Sequence, residues 1–417
     1  MQWSLTKLLR VFCPFALGYF LSYLYRTVNA VIAPDLVSDL GLDPANLGLL
    51  TSAYFLSFAA FQLPLGLLLD RFGPRRVEAV LLLFAAFGAI LFGQAETLGG
   101  LLLGRALIGL GVSACLMAAF KAFVIWFPAE RLPLANGVQM VSGGLGALMA
   151  TVPVEMALRV TDWRMVFTSL GVLTLLAAVA VFFVVPEKEG SQSSERMGEQ
   201  LRGMLKIFSS RFFWRLAPWA VLSQAAHLAI LGLWSGPWLR DVAGFNREGV
   251  ANTLFLIALA MIIGYFSFGA LAGRLGRRGI RPMTVAACGM SAFLLVQMAL
   301  LLGWQAATVP LWILFSCCGT AGILPYAALS QHFPSHLSGR ANTALNLMVF
   351  TTAFATQWGV GAIIGLWQET GIGGYAPEGY RAAFGAILVL QLLAAGWFLL
   401  AGRLPSWQES PVEIDKP

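Results

Sequence analysis

The chain has 417 residues, 58% of them hydrophobic and only 11% charged. A soluble domain carries about 25% charged residues, so a water-soluble fold is excluded and lipid is the expected solvent for most of the surface. The net charge of +7 comes from basic residues scattered through short loops between apolar runs, which points to membrane topology and away from a nucleic-acid partner.

A spanning helix needs about 20 mostly apolar residues. Such segments are predicted over 11–33, 46–69, 77–95, 98–126, 133–157, 163–185, 213–239, 249–272, 282–303, 308–331, 340–367 and 379–402. The first has a basic start like a signal peptide, but it is too long and lacks a small-residue cleavage site, so it is read as a span. The longest polar stretch, 186–211, separates the sixth segment from the seventh. The expected domains are therefore an N-terminal six-helix bundle (1–185), a cytoplasmic linker (186–212), a C-terminal six-helix bundle (213–403) and a cytoplasmic tail (404–417).

Loop charges orient the chain. With the N-terminus inside, the cytoplasmic side collects 20 of the 27 Lys/Arg, the outer side holds Arg159, Arg164, Arg240, Arg247 and Arg381, and Arg26 and Arg105 lie within helices. This bias predicts a multi-pass protein of a bacterial inner membrane with both termini cytoplasmic. Cys13, Cys115, Cys288, Cys317 and Cys318 lie in apolar runs without metal-ligand spacing, and are read as reduced packing residues. No metal or cofactor is expected.

Two repeats cross the chain. "GLLLDRFGPRR" from Gly66 matches "GALAGRLGRRG" from Gly269, and "FPAERLPLAN" (127–136) matches "FPSHLSGRAN" (333–342). Equivalent positions in both halves, twice over, argue for a six-helix unit duplicated in parallel.

In the first repeat, Gly66, Asp70, Arg71, Gly73, Arg75 and Arg76 resemble the signature that the major facilitator superfamily carries after its second helix. "GRALIGLGVSA" (104–114), with Arg105, Gly109 and Gly111, resembles that family's fourth-helix motif. The resemblance implies an all-α membrane fold of twelve helices in two pseudo-symmetric bundles. These would rock about a cavity lined by helices 1, 4, 7 and 10, with 2, 5, 8 and 11 beside them. In the loop, Gly66 would let helices approach closely. Asp70 would accept from a neighbouring helix start, held by Arg71, Arg75 and Arg76, which could also touch acidic lipid headgroups. Together they would latch one conformation. The second copy has Gly273 in place of the acid, so its latch should be weaker. "LYRTVNAVIAPDL" is similar in layout to the organic-anion branch of the family, which often has an acid before the arginine; here that position is Tyr25.

Arg26 is the central candidate. An unpaired guanidinium in hydrocarbon costs at least about 2.5–3.5 kcal/mol, so it needs a partner or a task. Its fork suits a carboxylate; the alternative is a structural arginine bonded to carbonyls or a tyrosine. All 20 Asp/Glu are read as lying at helix ends or in loops, leaving nothing at mid-membrane to balance a cation. Arg105 is read as snorkelling or as a coupling or gating residue, and Lys121 as snorkelling. Glu155, near Arg159, is the deepest outer acid and a coupling candidate. His227 is read as a proton relay or a packing residue. Asn29, Tyr54, Gln139, Gln224, Trp234, Tyr326, Asn346 and Gln357 complete the candidate cavity, and Gly236 and Pro237 are read as a break near the outer end of helix 7.

No nucleotide-binding loop or nucleophile–base arrangement is evident, so no enzyme is expected and transport should draw on gradients. The expected function is secondary active transport of a small organic anion by alternating access, with proton-coupled uptake or exchange. The fifth helix, "GVQMVSGGLGALMAT", lacks the proline pattern of the family's exporters, which favours uptake. The alternatives are an exporter of an amphipathic or siderophore-like compound, and a transporter-like sensor. Expected partners are the anionic substrate, protons and membrane lipids, with the chain acting as a monomer.

Overall fold

The computed structural model describes residues 8–128, 132–187, 197–303, 307–368 and 374–403. The middle of the predicted linker and the predicted tail (404–417) lie outside the described residues. In lipid, backbone polar groups must bond within the segment or within a closed barrel, and each predicted span coincides with helix.

Helix α1 runs from Leu8 to Leu40 in three pieces, a π turn (Leu8–Phe12), Cys13–Thr27 and Asn29–Leu40. The helical stretch Pro44–Gln94 folds back at Gly73, whose φ of 76° and ψ of 161° divide it into α2 (44–72) and α3 (74–94). Then come α4 (Leu98–Trp126), α5 (132–158, interrupted at 150–151) and α6 (Trp163–Val184). An amphipathic helix, Met197–Phe208, leads to α7 (Arg211–Asp241), α8 (Arg247–Gly276), α9 (Pro282–Leu301), α10 (Thr308–His332), α11 (Ser335–Ile364) and α12 (Pro377–Ala401). Among the described residues, ten helices are individually long and apolar enough to cross a membrane. Pro44–Gln94 crosses twice by folding back at Gly73 and α1 crosses in pieces, which makes twelve crossings.

Alternation of the helices defines two faces, the Leu8 face and the Gly41 face. Gly41, at φ 60°, ends α1 in the left-handed conformation, where glycine is unstrained. Four helices start at the Gly41 face with side-chain caps: Asp43 accepts from the Asn46 N–H, Thr97 from Gly100, Asp162 from Met165 and Asn246 from Gly249. Each cap satisfies a donor that the first turn leaves open.

Small residues set the helix spacing, as membrane packing requires. A Cβ at Gly146 of α5 would overlap the Phe20 carbonyl of α1, and one at Gly109 of α4 the Tyr54 carbonyl of α2. Two further contacts join the halves: Gly361 of α11 sits on the Pro44 carbonyl of α2, and Gly236 of α7 on the Ala30 carbonyl of α1. The second has a sequence cause. Pro34 has no N–H to offer the carbonyl four residues back, so Ala30 leaves an unclaimed oxygen that the bare Gly236 backbone can approach.

The expected break at Gly236 and Pro237 is corrected: α7 continues through both to Asp241. Its irregularity falls one turn earlier, in a π turn over Ile230–Trp234, which accommodates the missing Pro237 N–H. One acid at a helix end is not solvated as its position suggests. Glu78, four residues past Pro74 on α3, is wholly buried.

The glycine contacts predict a sharp contrast within α5. Gly146→Ala should overpack the α1 contact, at about 1–3 kcal/mol, and lower the thermal midpoint of the purified protein. Gly137→Ala, with nothing within 4 Å of the new Cβ, should leave the midpoint unchanged or raise it. Equal midpoints for the two variants would contradict the packing described.

Candidate functional site

Tyr19, Tyr23 and Arg26 are spaced by four and three residues, which puts them on one face of α1. The Arg26 Cζ lies 4.6 Å from the centroid of the Tyr23 ring, 5.2 Å from Phe350, 5.5 Å from Phe58 and 5.9 Å from Tyr54. Phe58 of α2 stacks on Phe350 of α11 at 4.2 Å, so the cage is built by both halves of the chain. Arg26 is only 7% exposed. Among the described residues it makes no ion pair and its Nε has no hydrogen-bond partner.

The Tyr54 hydroxyl lies within hydrogen-bonding reach of the guanidinium, but aromatic faces offer no in-plane acceptors, so the remaining donors suit a planar group with two oxygens. One turn toward the Leu8 face, polar groups form a chain: the Tyr326 hydroxyl donates to Asn346 Oδ1 at 3.1 Å, and Asn346 Nδ2 donates to Gln62 Oε1 at 3.3 Å. Helix α1 is interrupted just beyond Arg26. There the Thr27 hydroxyl bonds back to the Tyr23 carbonyl at 2.9 Å, and the buried Asn29 Oδ1 has no partner among the described residues.

Toward the Gly41 face the halves are tied together. Gln357 Nε2 of α11 donates to Thr51 Oγ1 of α2 at 2.7 Å, and Trp234 Nε1 of α7 donates to the Gln357 carbonyl at 2.9 Å. Above them Arg247, at the start of α8, grips Asp35 of α1 with two parallel bonds of 2.9 and 2.7 Å. Its Nε donates to Glu155 of α5 at 2.8 Å. Arg159 and Glu248 add a 3.5 Å pair. Beneath this latch is a cavity of about 140 Å³ lined by Pro34, Glu155, Gly236, Arg240 and Arg247 among others. Among the described residues, all ion pairs joining the halves lie at this face.

The remaining candidates sit elsewhere. Arg105 neither snorkels nor reaches Arg26. It is wholly buried between Phe92 (4.9 Å) and Phe167 (5.1 Å) and donates to the Tyr25 carbonyl at 3.2 Å. His227 contacts the Ser316 carbonyl at 3.2 Å and packs on Gly319, Phe293 and Phe315 within the second half. Gln139 donates to the Phe15 carbonyl at 3.1 Å, and Gln224 packs on Gly322.

The loop motif is wired differently from expectation. Asp70 pairs with Lys121 of α4 and not with the motif arginines. Arg75 bonds the Phe182 carbonyl of α6 at 2.7 Å, Arg75 and Arg76 pair with Glu187, and Arg71 lies over the Phe72 ring. Gly66 lies half-buried in the last turns of α2. Lys121, expected to snorkel, is the counter-ion of Asp70 because both reach the Leu8 face of the first half.

Sequence reading missed Tyr23, Phe58, Gln62 and Phe350 at the cage and Arg247 at the latch. The i, i+4, i+7 spacing of Tyr19, Tyr23 and Arg26 was a usable signal. Nothing local announces Phe350 or Arg247, which meet their partners only across the halves.

A family model, Major Facilitator Superfamily, matches residues 15–356. A probable sulfoacetate transporter of Cupriavidus necator is 26% identical over 344 residues, covering 73% of this chain and 80% of that protein. The hexuronate transporter of Escherichia coli K12 is 27% identical over 267 residues, 60% of this chain and 61% of that one. Among solved structures, an inward-facing bacterial homolog of the human lysosomal transporter Spinster superposes with a TM-score of 0.74 at 18% identity, covering 96% of this chain and 98% of that one. The nucleoside transporter NupG gives 0.75 at 13% identity, covering 94% and 99%. The family match spans most of a chain whose twelve helices superpose on transporters of that fold, and this protein belongs to the Major Facilitator Superfamily.

Proposed function

We propose that the protein is a secondary active transporter that takes up a small organic anion bearing a carboxylate or sulfonate, driven by protons. The observation that carries this reading is Arg26, buried among four aromatic rings contributed by both halves and without an ion pair. Burying an unpaired charge costs several kcal/mol, and an anion is the ligand that offsets that cost. Sulfoacetate and hexuronate, which name two relatives, are small organic anions, in keeping with this chemistry.

In this reading Arg26 holds the anion by its fork, and Tyr54, Gln62, Tyr326 and Asn346 form the polar rim. The break at Asn29 lets α1 bend beside the bound group. The halves, 1–185 and 213–403, rock about this point with the Leu8 face cytoplasmic and both termini inside. Arg247, Asp35 and Glu155, with Trp234 and Gln357 below, close the outer side. Gly66, Asp70, Arg71, Gly73, Arg75 and Arg76 brace the inner end of the first half through Lys121 and Glu187. Arg105 positions α1 through the Tyr25 carbonyl, while His227 and Gln139 hold helices together.

Thermal-shift measurements on purified protein test the site, because a ligand above its dissociation constant stabilises the folded state. Sulfoacetate or galacturonate should raise the midpoint and a quaternary ammonium should not. A charge-assisted hydrogen bond contributes about 1.5–3 kcal/mol, so Arg26→Lys, which loses the fork, should weaken anion binding about tenfold or more. Arg26→Ala should nearly eliminate it. Anion affinity unchanged in a well-folded Arg26→Ala protein would reject the reading.

The latch is tested by access. With the native cysteines replaced, Ala251→Cys places a thiol beside the latch cavity. Arg247→Ala should increase its labelling by a membrane-impermeant reagent severalfold, by favouring the conformer open at the Gly41 face. Identical labelling rates with and without Arg247 would show that the ion pairs do not hold that face shut.

A further inference from the structure

Glu78 lies on the α3 stripe that carries Leu81, Leu82, Ala85 and Ala89, all buried, while Val80, Leu83, Phe84 and Phe87 are exposed on the opposite side. It thus points into the first half and away from lipid. Its side chain is 0% exposed, and among the described residues its carboxyl oxygens meet no charged group and no donor stronger than the weak S–H of Cys115. The carboxyl presses on the bare backbone of Gly18 in α1, where a Cβ would overlap Oε1. From α4 the Cys115 thiol faces it; from α1, Gly18 offers no titratable side chain. Asp70 and Lys121 pair with each other, and Lys121 lies six residues beyond Cys115 on α4, about 9 Å nearer the Leu8 face at 1.5 Å per residue.

A carboxylate in this place would be a buried, unpaired charge at a cost of several kcal/mol. A neutral acid forgoes only a hydrogen bond, at about 1–3 kcal/mol. The geometry therefore favours the protonated acid in this conformer. Gly18 and Arg26 share α1, eight residues or about 12 Å apart, so a movement of α1 that follows anion binding at Arg26 also changes the packing on Glu78.

We propose that Glu78 is the proton-binding site of the transporter. A carboxylate oxygen of Glu78 takes a proton from water, forming its O–H bond before the site closes. It returns the proton to water when α1 withdraws and hydrates the carboxyl. Nothing is oxidised or reduced, and one proton enters and leaves per cycle. The proposal rests on the anion-transport reading and adds the residue that couples it to protons, a task that Tyr25 cannot perform.

Infrared spectroscopy of the purified protein at about pH 7 tests the protonation directly. The wild type should show a protonated-carboxyl C=O band that Glu78→Gln, of nearly the same shape, lacks. In proteoliposomes, an imposed proton gradient should drive galacturonate accumulation by the wild type, and Glu78→Gln should lose that accumulation. No such band in the wild type overturns the proposal even if the variant does not fold. So does gradient-driven accumulation that survives in Glu78→Gln. If galacturonate and sulfoacetate shift neither the wild type nor Arg26→Ala in thermal assays, the anion reading falls, and the infrared band still judges Glu78 by itself.

Discussion

The architecture depends on one constraint, a guanidinium buried at the junction of two half-molecules with no counter-ion among the described residues. A cation over an aromatic face gains about 0.5–2 kcal/mol, and four rings surround Arg26. Those faces and the Tyr54 hydroxyl temper the cost of burial without supplying a counter-charge. The cage closes only when α1, α2 and α11 come together, so the energetics of the charge and the relation between the halves cannot be separated. A ligand that completes the charge also acts on the contact that must change for transport.

Three arginines show how surroundings, and not residue type, set the role. Arg105 is as buried as Arg26 and also leaves donors unpaired. The groups packed on it, Phe92, Phe167 and Tyr25, all belong to the first half, so parting the halves does not open that site. Arg247 is the reverse case: its side chain is 46% exposed and its partners are carboxylates across the junction. Glu155 is buried but Asp35 is partly exposed, and a half-exposed arginine can rehydrate as the face opens, which the guanidinium of a deeply buried pair could not do.

Backbone chemistry provides the tight contacts that let these side chains meet. Pro34 frees the Ala30 carbonyl, and Gly236 is the residue that can approach it. A side chain at 236 would overlap the Ala30 carbonyl and hold α7 away from α1. The π turn at Ile230–Trp234 and the break after Arg26 fall near the same junction. Irregular helix in a membrane protein is tolerated where neighbouring protein can satisfy the freed groups.

The sequence by itself determined the helices and their number, because twenty apolar residues in lipid have little choice but to satisfy their backbone as helix. It also determined the internal duplication, the candidate status of Arg26 and the loop after the second helix, within which the structure puts the turn at Gly73. These are local properties, or properties of spacing along one helix. Only the tertiary structure decided which charges meet. Asp70 finds Lys121, Glu155 finds Arg247, and Glu78, one of the acids placed at helix ends or in loops, turns inward against Gly18. Partners such as Phe58 and Phe350 are separated by almost 300 positions and belong to different halves. No periodicity along either helix encodes their contact; it exists only once the two halves have packed and the cost of burying each polar group is shared between them.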